Sequence, residues 1–432
     1  MRRLYVTLCL TTLVIRSVAQ PVRSITLEEC QTLARHNYPL IRQRVLIEQS
    51  RDYSVANAAK GYVPQLTLSG QATYQNQTVD FSESPLGALA GGIVLPKISK
   101  DQYKVTAQVD QLLYDGGAIQ TTKALRQTDA LVQQQNLEVS LYALRDRVNN
   151  LFFGIALLNE QQQLTTLRKA DIQSGINRTE GALANGTAYR SSLNELKAEL
   201  IRADQSTTEA RATRRAYVAM LAALIHQPLD ESTQFIRPQA QPLSSAINRP
   251  ELRLYDYQKQ LYNVQEEQLR INLRPKVNAF FQGNYGRPTF NIINNQFGLF
   301  WIGGLRFNWA LSSLYTTFHT DRQLLSINRS QVDLQRETFL LNTNLSLTQQ
   351  QGEVQKYEEL IEQDNQIVEL RTSVKQSANA QLQNGVITTR DYISQVNAEN
   401  EARQTLLLHQ IQRLQAQYNH NTTAGLSSTD NP

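Results

Sequence analysis

Cysteine is nearly absent from this 432-residue sequence: only Cys9 and Cys30 occur. Cys9 lies in an apolar N-terminal run, so a processed chain would keep Cys30 alone and no disulfide framework could form within it. Glycine and proline are scarce, at 19 and 12 residues, which leaves long stretches without a helix breaker. Only 41% of the residues are hydrophobic, a balance that favours long helices with exposed faces over a thick core. No sign of charge dominates. The formal net charge is +5, and Arg2, Arg3 and Arg16 of the apparent leader supply three of those charges, so no nucleic-acid footprint is present. The five histidines, His36, His226, His319, His409 and His420, lack metal-ligand spacing, and no Gly-rich phosphate loop occurs. An enzyme is therefore disfavoured, and no cofactor or metal is expected.

Residues 1–19 have the form of a secretory signal: Arg2 and Arg3, the run "LYVTLCLTTLVI", then "SVA" ending at Ala19 before Gln20. The run is too short to span a bilayer as a helix, and no small residues precede Cys9 as they would a lipidated cysteine. An uncleaved anchor is the alternative. After the leader no apolar segment reaches about 18 residues, so the secreted chain is either soluble or part of a membrane β-barrel, because only helices and closed barrels satisfy the backbone in lipid.

What the sequence does contain is a tandem repeat. Pro39 in "HNYPLIRQ" aligns with Pro250 in "INRPELRL", Pro64 with Pro275, and Tyr74 with Tyr285. Period-two stretches sit at equivalent places. Leu66, Leu68, Gly70, Ala72 and Tyr74 alternate with polar residues in the first copy, and Val277, Ala279, Phe281, Gly283 and Tyr285 do so in the second, with Phe280 an apolar intruder. Downstream, Tyr103, Val105, Ala107 and Val109 correspond to Trp301, Gly303, Leu305 and Phe307. Each half thus predicts one strand hairpin, over 65–114 and 276–309, four strands in all. Strands of this length suit a tilted bilayer crossing, with Leu66, Leu68, Val105, Ala107, Val277, Ala279, Phe281, Leu305 and Phe307 facing lipid. Tyr74, Tyr103, Tyr285 and Trp301 would form an aromatic girdle. A four-stranded soluble sheet is the rival. Four strands cannot close a useful barrel, and bare edges are prohibitive in lipid, so several chains must contribute to one barrel.

The helices carry a narrow seam. From about Ala118 to Ser174 no proline occurs, and Leu137, Leu141, Leu144, Val148, Leu151, Ile155 and Leu158 recur at heptad spacing. A single helix about 85 Å long is expected there at about 1.5 Å per residue. Two equivalent turns end the long runs, Asn185-Gly186 and Asn384-Gly385, each glycine able to adopt the left-handed backbone, with Thr or Ser beyond to cap the returning helix.

The sequence resembles the TolC-like outer-membrane efflux protein family. The resemblance is carried by "ITLEECQTLARHNYPLIRQ" near the mature N-terminus, "GYVPQL" before the first strand, "LLYDGG" from Leu112 to Gly117 and the two "NG" turns, and it covers nearly the whole mature chain. It implies a mainly α chain with a membrane β-barrel: tandem-duplicated helical hairpins forming a periplasmic α-barrel, and four strands per chain in a 12-stranded barrel of a homotrimer. The expected division is a signal peptide at 1–19, a first repeat at 20–226 with helical hairpin 118–226, an equatorial linker subdomain at 227–249, a second repeat at 250–418 with helical hairpin 312–418, and a disordered tail at 419–432. The implied role is the exit duct of a tripartite efflux pump or type I secretion system, in the outer membrane with helices in the periplasm, passing small molecules or polypeptides. The implied partners are a periplasmic adaptor and an inner-membrane transporter. A periplasmic coiled-coil adaptor without a barrel is the alternative. Adaptor contact and gate are expected at Asn185, Gly186, Ser192, Asn384, Gly385, Asp391 and Ser394. Family members often narrow this end with acids. Here Asp391 is either such a constriction residue or a first-turn residue favoured by the helix dipole, while Ser394 stands where a second acid could, and Ser192 is the first copy's equivalent of Asp391.

Overall fold

The computed structural model describes residues 24–78, 98–291 and 295–426. The leader therefore lies outside the described residues, as does most of the first hairpin loop. In chain order the elements are β1 (Ser24–Ile25), α1 (Leu27–Asn37), α2 (Gln43–Ala59), β2 (Gln65–Tyr74), β3 (Asp101–Tyr114), α3 (Ala118–Tyr142), α4 (Leu144–Ala184), α5 (Arg190–Ile225), β4 (Gln234–Phe235), α6 (Pro250–Asn272), β5 (Lys276–Arg287), β6 (Gly298–Asn308), α7 (Ser312–Tyr315), α8 (Phe318–Gln383) and α9 (Thr389–Ala424). The described residues fall into two compact units, one drawn from 24–38, 143–245 and 347–426, the other from 39–78, 98–142, 246–291 and 295–346.

The first unit is built on the heptad seam. Val148, Leu151, Phe152 and Ile155 of α4 are buried with Leu221 and Ile225 of α5 and Ile411 and Leu414 of α9. α1 packs across them through Leu27, Cys30 and Ala34, and enters by a capping box in which the Thr26 hydroxyl accepts from Glu29 N–H while the Glu29 carboxylate accepts from Thr26 N–H. Each fully buried Phe or Leu contributes about 1.5–3 kcal/mol. β1 pairs in parallel with β4, and Phe235 meets Phe152 edge-on at 5.6 Å, so the chain around β4 is fastened to this core.

Two expectations are corrected here. The long helix is interrupted at Ala143, between α3 and α4, although Ala143 keeps right-handed helical dihedrals. The seam residues Leu141 and Leu144 on either side are both buried, and periodicity alone cannot register a break that preserves burial. The tail expected from 419 is helical to Ala424. His420, Asn421, Thr422 and Ala424 are buried. Their polar composition reads as tail, but Asn421 and Thr422 are hydrogen-bonded: Asn421 accepts from Ser244 N–H at 3.2 Å and donates to the Pro242 carbonyl at 3.1 Å, and Asn149 donates to the Thr422 hydroxyl at 3.2 Å.

In the second unit α3 packs against α2 and α6. Glu266 of α6 is buried and takes guanidinium contacts from Arg270 at 2.9 Å, Arg322 at 3.0 Å and Arg329 at 2.7 Å, which pins α8 to α6. The four long strands form one antiparallel sheet in the order β2-β3-β5-β6.

Candidate functional site

The sheet joins the two repeats through β3 and β5, and its register aligns the period-two residues of all four strands in rows. Leu68 pairs Ala107, which pairs Gly283, which pairs Trp301; the next row is Leu66, Val109, Phe281 and Gly303. Val277 opposes Phe307 and Ala279 opposes Leu305. Side chains directly across a sheet share a face, so the nine residues expected to face lipid are brought onto one surface. That surface is exposed: Leu66 at 75%, Leu305 at 70% and Phe307 at 63%. The alternation fails at one end. The register shifts between Leu112 and Tyr114, bringing Tyr114 opposite Val277.

The opposite face is polar and linked across strands. Thr106 donates to Asn284 at 2.8 Å, Gln282 to Gln108 at 2.6 Å and Gln108 to Asp110 at 2.5 Å. Arg306 lies 3.6 Å from Asp110 and stacks over the Phe280 ring at 4.9 Å. Phe280, the intruder in the alternation, thus has a cation above it and Gly304 beside it, where an added β-carbon would meet its ring.

The four girdle aromatics are all exposed. Tyr103 and Tyr285 each stack on Phe297, at 6.2 and 5.9 Å, and Trp301 stacks on Phe281 at 5.8 Å. Arg287 sits over Phe297 at 5.2 Å and forms an ion pair with Asp101. Sequence reasoning missed Phe297, a hairpin-loop position with no periodicity to mark it, and Arg287, a charged residue that ends β5 in the phase of the apolar face.

In the first unit, the two Asn-Gly turns close α4 onto α5 and α8 onto α9 in the same way. Asn185 and Asn384 are the last residues before the turns, and Gly186 and Gly385 both have φ of +72°. Gly186 N–H donates to the Leu183 carbonyl and Thr187 N–H to Ala182; Gly385 N–H donates to Leu382 and Val386 N–H to Gln381, at 2.9–3.1 Å. Both are Schellman closures. The returning helices differ. α9 begins with a capping box in which Asp391 accepts from Thr388 N–H and hydroxyl, whereas Tyr189 before α5 provides no side-chain cap. Asp391 is exposed, and its pKa is lowered chiefly by the Thr388 hydroxyl. Its carboxylate serves the helix start.

The structure brings the two turns together. A cavity of about 520 Å³ is lined by Arg178, Tyr189 and Ser192 of the first and by Leu382, Gly385 and Thr388 of the second, among others. Ser394 is exposed on α9. Tyr189 and Val386, at 81% and 71% exposure, are apolar residues presented by the turns.

Behind the turns lies an ion network that the sequence reading missed. Glu399 on α9 accepts from Arg403 at 2.6 Å and from Lys375 at 3.2 Å, and Lys375 also reaches Asp171 on α4 at 2.9 Å. Burial alone would raise the pKa of Glu399, but the Arg403 and Lys375 contacts outweigh it and hold the acid below its usual range. Burial likewise works against charged Lys375, and its two carboxylate partners raise its pKa regardless. Arg178 donates to Asn379 at 2.6 Å, and Arg168 donates to Asn397 at 2.8 Å while pairing with buried Glu199. The α8–α9 hairpin is thereby tied to α4. The available signal was an acid in register with an apolar stripe: Leu193, Leu196, Glu199 and Ala203 are all buried on α5.

Comparison with known proteins agrees with this geometry. Residues 32–226 match the family described as "Outer membrane efflux protein". Among curated proteins none matches the sequence. Solved structures match over most of the chain. CusC, whose structures concern folding and transmembrane channel formation, superposes with a TM-score of 0.69 at 13% identity, over 92% of each chain. The outer membrane protein VceC from Vibrio cholerae gives 0.66 at 13% identity over 92% of this chain and 96% of its own. The open-state MtrE outer membrane channel from Neisseria gonorrhoeae gives 0.64 at 14% identity over 92% and 88%.

The chain has the TolC-like channel fold.

Within a TolC-like fold, the seven turn residues and the nine apolar strand residues fall in separate units, one around the paired turns and one on the sheet. No described helix is long and apolar enough to cross a membrane, and among the described residues no group of three or more His, Cys, Asp or Glu is placed to hold a metal ion.

Proposed function

We propose that this chain is one protomer of a homotrimeric outer-membrane duct whose sheet enters the bilayer and whose paired turns form the periplasmic entrance. The observation that carries the reading is the register: it gathers the apolar period-two residues of both repeats on one exposed face and a hydrogen-bonded polar set on the other. An apolar face of that kind is stable against lipid, and the polar face suits a water-filled lumen. Three copies joined edge to edge, β6 to the next β2, make a closed barrel of 12 strands and leave no edge bare. A periplasmic coiled-coil adaptor would have no use for such a sheet.

The sequence has no Gly-rich phosphate loop, and in this reading export is driven by an inner-membrane transporter reached through a periplasmic adaptor at the turns. Tyr189 and Val386 supply exposed apolar contacts there, and irregular segments on rigid helices are where recognition concentrates. The cargo is small molecules or polypeptides of an efflux pump or type I secretion system. The reading is tested by isolating outer membranes and running them unheated and heated on gels. A heat-sensitive trimer band in that fraction is expected; a monomer confined to the soluble periplasmic fraction would overturn it.

A further inference from the structure

We propose that the lumen of this duct favours anions, so that its preferred cargo is organic acids, phosphate esters, sulfonates and other solutes of net negative charge. The proposal rests on the duct reading above and concerns what its polar face selects.

Three cations lie on that face, Lys104 of β3, Lys276 of β5 and Arg306 of β6, against a single carboxylate, Asp110, a net of +2 per chain. The polar residues of β2, which are Gln65, Thr67, Ser69, Gln71 and Thr73, carry no charge at all. Asp110 is already engaged: Arg306 lies 3.6 Å from one oxygen, and Gln108 donates to the other at 2.5 Å. Among the described residues no carboxylate pairs with Lys104 or Lys276, and Lys104 rests only near the Phe300 ring, at 5.9 Å. Asp101 does not offset them, because it lies in the apolar face's register, opposite Tyr74, and pairs with Arg287. The net positive charge is therefore that of Lys104 and Lys276.

The turns, taken separately, have the same sign. Residues 175–190 and 376–394 contain Arg178, Arg190 and Arg390 against Glu180 and Asp391. Both acids are occupied, Glu180 with Lys197 at 3.0 Å and Asp391 in its capping box. Asp391 keeps its charge within the capping box, but three arginines outnumber the two acids, so the turns carry a net +1, the same sign as the strand face.

In a trimer the two lysines recur three times around a water-filled bore with low-dielectric walls. Such a bore focuses the field and raises the local concentration of the opposite ion. The Debye length is about 8 Å at physiological ionic strength, so an ion passing within a few ångströms of these ammonium groups is not screened from them.

The test is to reconstitute the full chain, purified from outer membranes, into planar bilayers under a potassium chloride gradient and measure the reversal potential. A chloride-over-potassium permeability ratio above unity is expected. The double variant Lys104→Glu/Lys276→Glu should carry the ratio below unity, and Lys104→Gln/Lys276→Gln should fall between; the glutamine pair keeps the test decisive if the reversed chain does not insert. A cation-selective wild-type channel, or an anion preference that neither variant moves, would overturn the proposal while leaving the duct intact. Absence of any conductance from the wild-type chain would overturn the duct reading and the proposal with it.

Discussion

At Gly186 and Gly385 the backbone, not the space around it, demands glycine. A β-carbon at either position would meet nothing within 4 Å, yet both have φ of +72°. A side chain there costs about 1–2 kcal/mol in backbone strain, more if it is β-branched, while asparagine tolerates the conformation. Gly385→Val should therefore leave trimers in the membrane but abolish export and adaptor crosslinking, and Gly385→Asn should retain both. Normal export from the valine variant, or failure of its trimers to form, would make the turn a structural element only. Glu399 offers a pH test. Its folded-state pKa is lowered, so its contribution to stability is present above the ordinary glutamate pKa of 4.5 and is lost as the pH falls through the lower folded value. The hydrogen-exchange protection factors of 396–403 on α9, corrected for the slowing of intrinsic exchange in acid, should then fall on acidification in the wild type. Glu399→Gln should be less protected already at neutral pH and lose less protection in acid; an identical profile in both would remove Glu399 from the hairpin's stability.

Among the elements, the strands were legible in the sequence because a half-exposed strand writes its two faces as alternating residues, and the turns because Asn-Gly after a helix has few other uses. What could not be read was long-range pairing. Nothing local says that β3 should bond β5, some 170 residues later, or that the register slips at Leu112, since both depend on the partner strand. The Glu399 and Glu266 clusters were hidden for a related reason: a charged residue on a helix reads as solvent-facing until its cations arrive from other helices. The sheet makes a sharp prediction. Ala107→Arg, on the apolar face, should cost about 2–4 kcal/mol per chain near the bilayer centre. Gln108→Arg, next in sequence but beside Asp110 on the polar face, should be tolerated. Trimer yield in outer-membrane fractions checks this, and equal assembly of the two would sink the facial assignment. The first hairpin loop, outside the described residues apart from its ends, is expected to be extracellular. Cysteine at Ser84 should label with an impermeant thiol reagent on intact cells; labelling only after permeabilisation would reverse the topology.

For the whole molecule, the duplication in the sequence is not the division in space. Each compact unit draws segments from both repeats, and the β3–β5 pairing stitches one repeat to the other inside a single sheet. Neither repeat holds a complete unit, so a chain cut at the midpoint should yield two fragments that survive only together. The sheet has a further property: its borders are unlike, β2 on one side and β6 on the other. Joining unlike borders is a heterologous contact, which closes into a ring when the rotation allows. Until the third chain arrives, every partial assembly still carries both open borders and remains a target for proteases and aggregation. Gene dosage then acts steeply. Where unassembled chains are degraded rather than stored, halving synthesis should cut the number of finished rings toward about one-eighth, since three chains must meet. A cell titrated from an inducible promoter should therefore lose export well before it loses the protein.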